Sequence, residues 1–153
     1  MITIDILGLD QYVTGTYSKN HTRNLASLFE TSEDNISFYA PNSYIFHNGV
    51  EQTSWNTLVR IHAPKKYAVL EKKVAKYLLE TLKEFAINVS LEFYYYDEEH
   101  HYAFNNDKYP HFLTDENVVN VEEEVLEEGE ELYEGNIFED FENKLNEAKK
   151  KEG

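Results

Sequence analysis

The chain has 153 residues, 41% hydrophobic and 14% aromatic, no cysteine and a formal net charge of -15. That length supports one domain with a real core, and the missing cysteines exclude disulfides, thiolate metal sites and cysteine nucleophiles. The acid excess argues against a nucleic-acid partner, because phosphates need a basic footprint.

Ile2, Ile4 and Ile6 alternate with Thr3 and Asp5, the period-two pattern of a strand with one buried face. Gly8-Leu9 turns the chain, and Asp10 stands where it can N-cap a helix. Val13, Tyr17, His21, Leu25, Leu28 and Phe29 then fall near helical spacing. Gly15 and several Thr and Asn lower the helix propensity, so this helix must lean on tertiary packing. The polar run 31–35 ends it.

Ile36, Phe38 and Ala40 begin a second strand, interrupted at Pro41 and resumed through Tyr44, Ile45 and Phe46. A proline inside the run marks an edge or a bulge. Asn48-Gly49 favours positive φ and marks a tight reversal. Beyond it Trp55, Thr57, Val59 and Ile61 alternate with Asn56, Leu58, Arg60 and His62 as a third strand. Pro64 opens a second helix, with Tyr67, Leu70, Val74, Tyr77, Leu78, Thr81, Leu82 and Phe85 as its apolar stripe. Lys65, Lys66, Lys72, Lys73 and Lys76 read either as its solvated face or as a local basic patch.

The last main strand covers 87–96, with Val89, Leu91, Phe93 and Tyr95 on one face and Ser90, Glu92, Tyr94 and Tyr96 on the other. A sheet covered by helices on one side leaves its other face open. Tyrosines there read as interface residues, or as packing for the segment that follows. That segment, 97–113, is aromatic-rich without clean periodicity and is expected to form a short hairpin closing an interface.

The order of elements is β-α-β, reversal, β-α-β, an α+β class. Residues 115–153 hold 15 of the 29 acidic residues and 4 of the 14 basic ones. They are expected to form a separate acidic tail, mobile over 115–134 and helical over 137–150, after a domain spanning 1–114. No apolar run approaches the ~18 residues of a membrane span. MITIDILGLD also lacks the basic and long apolar regions of a secretory leader, so a soluble, cytoplasmic protein without a membrane partner is expected.

This plan, with VEQTSWNTLVRI after the reversal and LEFYYYDEEHHYAFNN in and after the last strand, resembles an uncharacterised bacterial family of the tautomerase superfamily. That superfamily includes macrophage migration inhibitory factor. The resemblance covers roughly residues 1–113 and leaves the acidic tail outside. It implies a four-stranded mixed sheet with two helices on one face. It also implies a homo-oligomer, a trimer whose sheets face inward around a central axis. A ferredoxin-like split β-α-β arrangement has the same element order and is the rival topology.

The resemblance also implies a catalytic amino-terminal proline, a secondary amine that serves as a base at neutral pH. Here the chain reads Met1-Ile2, and no proline precedes Pro41. Proline-based tautomerase activity is therefore not expected. Weak catalytic candidates are the primary amine of Met1, which is otherwise an ordinary terminus, and Arg60, which is otherwise an interface ion-pair residue. Arg60, His62, Tyr94 and Tyr96 are the binding candidates for a small carboxylated ligand.

Asp97, Glu98, Glu99, His100, His101 and the later His111 form the one metal-like grouping in the sequence. Adjacent histidines on an extended chain point to opposite sides, and no fixed-spacing metal motif occurs. No metal and no cofactor are expected. Phosphate-loop, dinucleotide and nucleophile-elbow motifs are likewise missing.

The expected function is an oligomeric binding or interaction protein on a tautomerase-like scaffold. Its acidic tail either engages a basic protein partner or keeps the oligomer soluble. The alternative is a tautomerase- or isomerase-like enzyme, acting on a small carboxylated or enolisable compound in a subunit-interface pocket.

Overall fold

The alternation at the start of the chain decides the layering. In the computed structural model, which describes residues 1–117, Ile2, Ile4 and Ile6 are fully buried while Thr3 and Asp5 look the other way. The main elements are β1 (Ile2–Leu7), α1 (Gln11–Leu28), β2 (Ile36–Tyr39), β3 (Phe46–His47), β4 (Val50–Glu51), β5 (Asn56–Pro64), α2 (Glu71–Leu82) and β6 (Asn88–Tyr96). β2, β1, β5 and β6 form a four-stranded mixed sheet in that order.

β1 is parallel to β2, β5 is parallel to β6, and the two pairs meet antiparallel between β1 and β5. Each β-α-β unit thus pairs its own two strands directly. A split β-α-β fold would insert another strand between them, so the ferredoxin-like alternative is excluded.

The core lies between the sheet and the helices. Ile2, Ile4 and Ile6 of β1 and Val59, Ile61 and Ala63 of β5 cluster with Tyr17 and Leu25 of α1 and with Val74, Leu78 and Leu82 of α2. Each fully buried aliphatic or aromatic side chain there contributes roughly 1.5–3 kcal/mol relative to exposure. All of these strand residues share one face, so both helices cover the same side of the sheet. Asp10 caps α1 as expected, accepting from the Tyr12 backbone amide at 2.7 Å.

Three expectations are corrected in detail. The second strand ends at Tyr39; it is not resumed after Pro41, and Phe46–His47 instead pairs with Val50–Glu51 in a separate two-stranded hairpin. Pro41 offers no backbone donor to continue a ladder. The reversal itself stands, with φ of 48° at Asn48 and 78° at Gly49. Pro64 does not open an α-helix: it is the last residue of β5, in register with Tyr96, and residues Lys65–Leu70 form a 3₁₀ segment before α2. Finally, residues 97–117 contain no strand, only a 3₁₀ turn at Glu98–His100 followed by exposed bends and turns. Tyr102 and Phe104 stand out into solvent there.

Met1–Phe112 forms one compact unit. The expectations for a mobile acidic run and a terminal helix fall on residues outside those described. No helix among the described residues is long and apolar enough to cross a membrane.

A polar seam joins the two helices. His21 Nδ1 lies 2.6 Å from the Tyr77 hydroxyl, which also accepts from Asn24 Nδ2 at 3.0 Å. Because Asn24 Nδ2 can only donate, the tyrosine proton is free for His21, and neutral His21 accepts it at Nδ1. Burial lowers the His21 pKa from its ordinary 6.5, with Glu84 opposing. The unfolded chain then binds this proton more readily than the folded one, so stability falls as pH drops through about 6.5 and is unaffected above. The difference in melting temperature between the wild type and His21→Gln should narrow between pH 7.5 and pH 5. A pH-independent difference would refute the assignment.

Candidate functional site

The face opposite the helices carries the candidates, and strand register arranges them in rows. Ser37, Thr3, His62 and Tyr94 lie side by side across β2, β1, β5 and β6. Tyr39, Asp5, Arg60 and Glu92 form the next row. Continuing the β1–β5 register sets Met1 across from Pro64, which pairs with Tyr96. Sequence alternation had put Arg60, His62, Tyr94 and Tyr96 on one face, but only the register tells which of them meet.

Tyr96 and Met1 do meet. The Met1 amine donates to the Tyr96 hydroxyl at 3.3 Å, and that hydroxyl donates in turn to the Met1 carbonyl. The start of β1 is thereby clamped to the end of β6, although the two strands are not neighbours. Burial raises the Tyr96 pKa, Glu98 and Tyr67 add to the rise, and Lys66 opposes it. The hydroxyl therefore stays protonated and able to donate.

A cleft of about 450 Å³ opens beside this clamp. Met1 lines it just before β1, β1 contributes Thr3 and Asp5, β2 contributes Tyr39, and β5 and β6 contribute His62 and Tyr96. The turn after β6 closes one side with His100 and His101. Its volume falls within the range of small-molecule sites, roughly 300–1,000 Å³.

Within the cleft His62 has two side-chain neighbours. Its ring stacks on Tyr94 with centroids 4.9 Å apart and planes 14° from parallel. Its Nε2 lies 3.7 Å from Asp5 Oδ2, and the two side chains are 42% and 29% exposed. His101 stacks on Tyr96 at 5.6 Å.

Arg60 stands in the neighbouring row, where its Nε pairs with Glu92 at 3.4 Å. Tyr94 donates to the same carboxylate at 2.8 Å, and this hydrogen bond is the main cause of its raised pKa. Neither Arg60 nor Tyr94 lines the cleft of a single chain; Tyr94 reaches it only through its stack on His62.

The histidine-acid grouping disperses. Glu98 pairs with Lys66 and Asp97 with Lys65, which also neutralises two of the five lysines. His101 turns to Tyr96 and His111 stacks on Phe112. Asp97, Glu99 and His100 keep possible ligand atoms within 4.8 Å of one another, on a largely exposed turn. Asp97 is already engaged by Lys65 at 2.8 Å.

The sequence reading missed Asp5, Thr3 and Tyr39. The alternation of β1 put Asp5 and Thr3 on the open face, but nothing local pairs them with β5. A second cavity of about 260 Å³ lies beside the α1 N-terminus, and its one carboxylate, Asp10, is committed to capping the helix.

No family model matches the chain, and no curated protein matches it in sequence. Solved structures do match in fold. A domain of unknown function (DUF1904) from Sebaldella termitidis aligns with a TM-score of 0.61 at 17% identity, over 67% of this chain and 95% of that one. A protein of unknown function from Vibrio cholerae aligns with a TM-score of 0.55 at 11% identity, over 67% and 83%. A macrophage migration inhibitory factor-like protein from Entamoeba histolytica aligns with a TM-score of 0.52 at 10% identity, over 68% and 93%. The chain is similar to these proteins in fold, and its sheet and helices are of the tautomerase type.

Proposed function

We propose that this protein binds a small carboxylated molecule in the cleft beside Met1, and that it does so as a homo-oligomer, with the trimer as the favoured form. The observation that carries the reading is the convergence of the Met1 amine, three imidazoles and the Tyr96 hydroxyl on one opening of about 450 Å³. An ammonium group and imidazole N–H donors suit a carboxylate, and the flanking Tyr39, His62 and Tyr96 rings suit a planar body.

The oligomer rests on the open sheet face, where Tyr39 and Tyr94 are 51% and 45% exposed. Aromatic side chains left on a strand face are typical interface material. A mass in solution of three times the 18.0 kDa chain supports the trimer, and a monomeric mass overturns the oligomer.

For the ligand, benzoate titrated against the full chain and followed by saturation-transfer NMR should bind saturably. Tyr96→Phe removes both bonds that hold the Met1 amine beside the cleft and should weaken binding about fivefold, the loss of about 1 kcal/mol of positioning. Unsaturable binding, or binding indifferent to Tyr96→Phe, would count against the cleft. Removing residues 115–153 tests the further idea that the acidic tail engages a basic protein.

The second reading is an enzyme without the amino-terminal proline. One observation favours it: the Met1 amine is held beside a cleft with converging polar groups instead of standing free in solvent.

A further inference from the structure

We infer that Lys65 and Lys66 are positioning residues of the cleft, although neither lines it. Their ion pairs with Asp97 and Glu98 seat the turn that bears His100 and His101. Ligand affinity is then set in part by the ionic strength that screens those pairs. The inference rests on the reading of the cleft as a ligand site and adds what controls one of its walls.

Three observations carry this. The first is register. The parallel ladder of β5 and β6 ends with Pro64 opposite Tyr96. The same offset continues past the ladder, where Lys65 Nζ donates to Asp97 Oδ2 at 2.8 Å and Lys66 Nζ to Glu98 Oε1 at 2.5 Å. Side chains thus extend the pairing after the two backbones have parted.

The second observation is what Asp97 does with its carboxylate. It stands at the N-cap position of the 3₁₀ turn Glu98–His100, where an aspartate ordinarily accepts from the turn's own amides. It makes no such bond, and its Oδ2 goes to Lys65 instead.

The third is where the turn leads. His100 and His101 both line the cleft. His101 also stacks on Tyr96, whose hydroxyl accepts from the Met1 amine. Within the turn, the His100 N–H reaches the Asp97 carbonyl at 2.9 Å and the His101 N–H reaches that of Glu98 at 3.1 Å. These bonds fix the turn's shape, while its place beside the cleft comes from the lysine pairs and the Tyr96 stack.

Each exposed pair is weak alone. Both act on the same short turn, so their effects fall on one equilibrium between a seated and a displaced wall. A ligand that needs the seated wall binds with an apparent affinity scaled by the seated fraction. The four paired side chains are between 44% and 62% exposed, so salt reaches them and lowers that fraction.

The test titrates benzoate against the full chain by saturation-transfer NMR, with amide hydrogen exchange as a second readout. Lys65→Met together with Lys66→Met keeps the apolar stems and removes the charges. This double variant should bind benzoate about fivefold more weakly than wild type and exchange the His100 and His101 amides faster. Raising salt from about 0.01 M to about 1 M should weaken wild-type binding more than that of the double variant, which has no such pairs left to screen.

Two controls separate positioning from net charge. Lys72→Met together with Lys73→Met makes the same charge change on α2 and should leave binding unchanged. Glu98→Lys adds positive charge, which by attraction alone would favour an anion, yet it should weaken binding. Adding Lys66→Glu to Glu98→Lys remakes the pair with its signs reversed and should restore binding.

Absence of saturable benzoate binding to wild type overturns the cleft reading and this inference together. Three results overturn this inference alone: wild-type binding that survives Lys65→Met with Lys66→Met, an equal loss in the α2 control, or stronger binding in Glu98→Lys.

Discussion

Gly8→Ala is expected to cost about 2–4 kcal/mol, the sum of left-handed backbone strain and overpacking. Gly8 has φ of +85°, and a Cβ built there meets the Asn56 carbonyl oxygen at 2.6 Å and Ile45 Cδ1 at 2.7 Å. The isoleucine tip can rotate away, but the carbonyl belongs to β5 and cannot move alone. Gly8 also anchors the long connection between β2 and β5, since Ser54 donates its backbone N–H to the Gly8 carbonyl at 2.8 Å.

Gly15→Ala supplies the control with the opposite sign. Gly15 lies inside α1 with nothing within 4 Å of its virtual Cβ, so alanine should add about 0.5–1 kcal/mol through helix propensity. Urea unfolding of the two variants measures both effects. Equal and small shifts would refute the steric account of Gly8.

Tyr17 should be the costliest single truncation. It is fully buried, stacks on His21 at 4.2 Å, and meets Phe38 and Phe85 edge-on at 5.9 Å each. Tyr17→Ala removes that ring from the junction of α1, β2 and the end of α2, with an expected loss of about 3–5 kcal/mol. Tyr17→Phe should cost only about 1 kcal/mol. It deletes the 2.6 Å bond to the Thr81 hydroxyl, but Thr81 still donates to the Tyr77 carbonyl at 2.9 Å and is not stranded.

The hydroxyl resists ionisation, because burial pushes the Tyr17 pKa up to about 12. The gap between the two substitutions, read from denaturant midpoints, separates ring packing from hydrogen bonding. A Tyr17→Phe loss as large as that of Tyr17→Ala would place the energy in the hydroxyl.

Much of the framework was legible because its signals are local. The Ile2-Ile4-Ile6 alternation, the Asp10 cap, the Asn48-Gly49 reversal and the apolar stripe of α2 each need only a few neighbouring residues to be read. Misreadings came where local preference met longer-range pairing. Pro64 favours a helix start, yet the β5–β6 ladder extends through it to Tyr96. Tyr44 to Phe46 is rich in β-formers, but with Pro41 behind it the chain leaves the main sheet and pairs only across its own reversal.

The candidate site was legible by composition and face, and not by partnership. Alternation alone puts Arg60, His62, Tyr94 and Tyr96 on the open face of their strands. Whether Arg60 faces a ligand or a carboxylate depends on Glu92, 32 residues away, and the structure supplies Glu92.

By itself, then, the sequence determined the α+β class, the strand faces and the presence and order of the two helices, since each follows from local spacing. The tertiary structure decided the strand order β2-β1-β5-β6, the Met1–Tyr96 clamp and the Asp5–His62–Tyr94 arrangement. The physical reason is register. Which residues of distant strands stand opposite one another follows from how the shared core packs, and short-range periodicity carries no record of it.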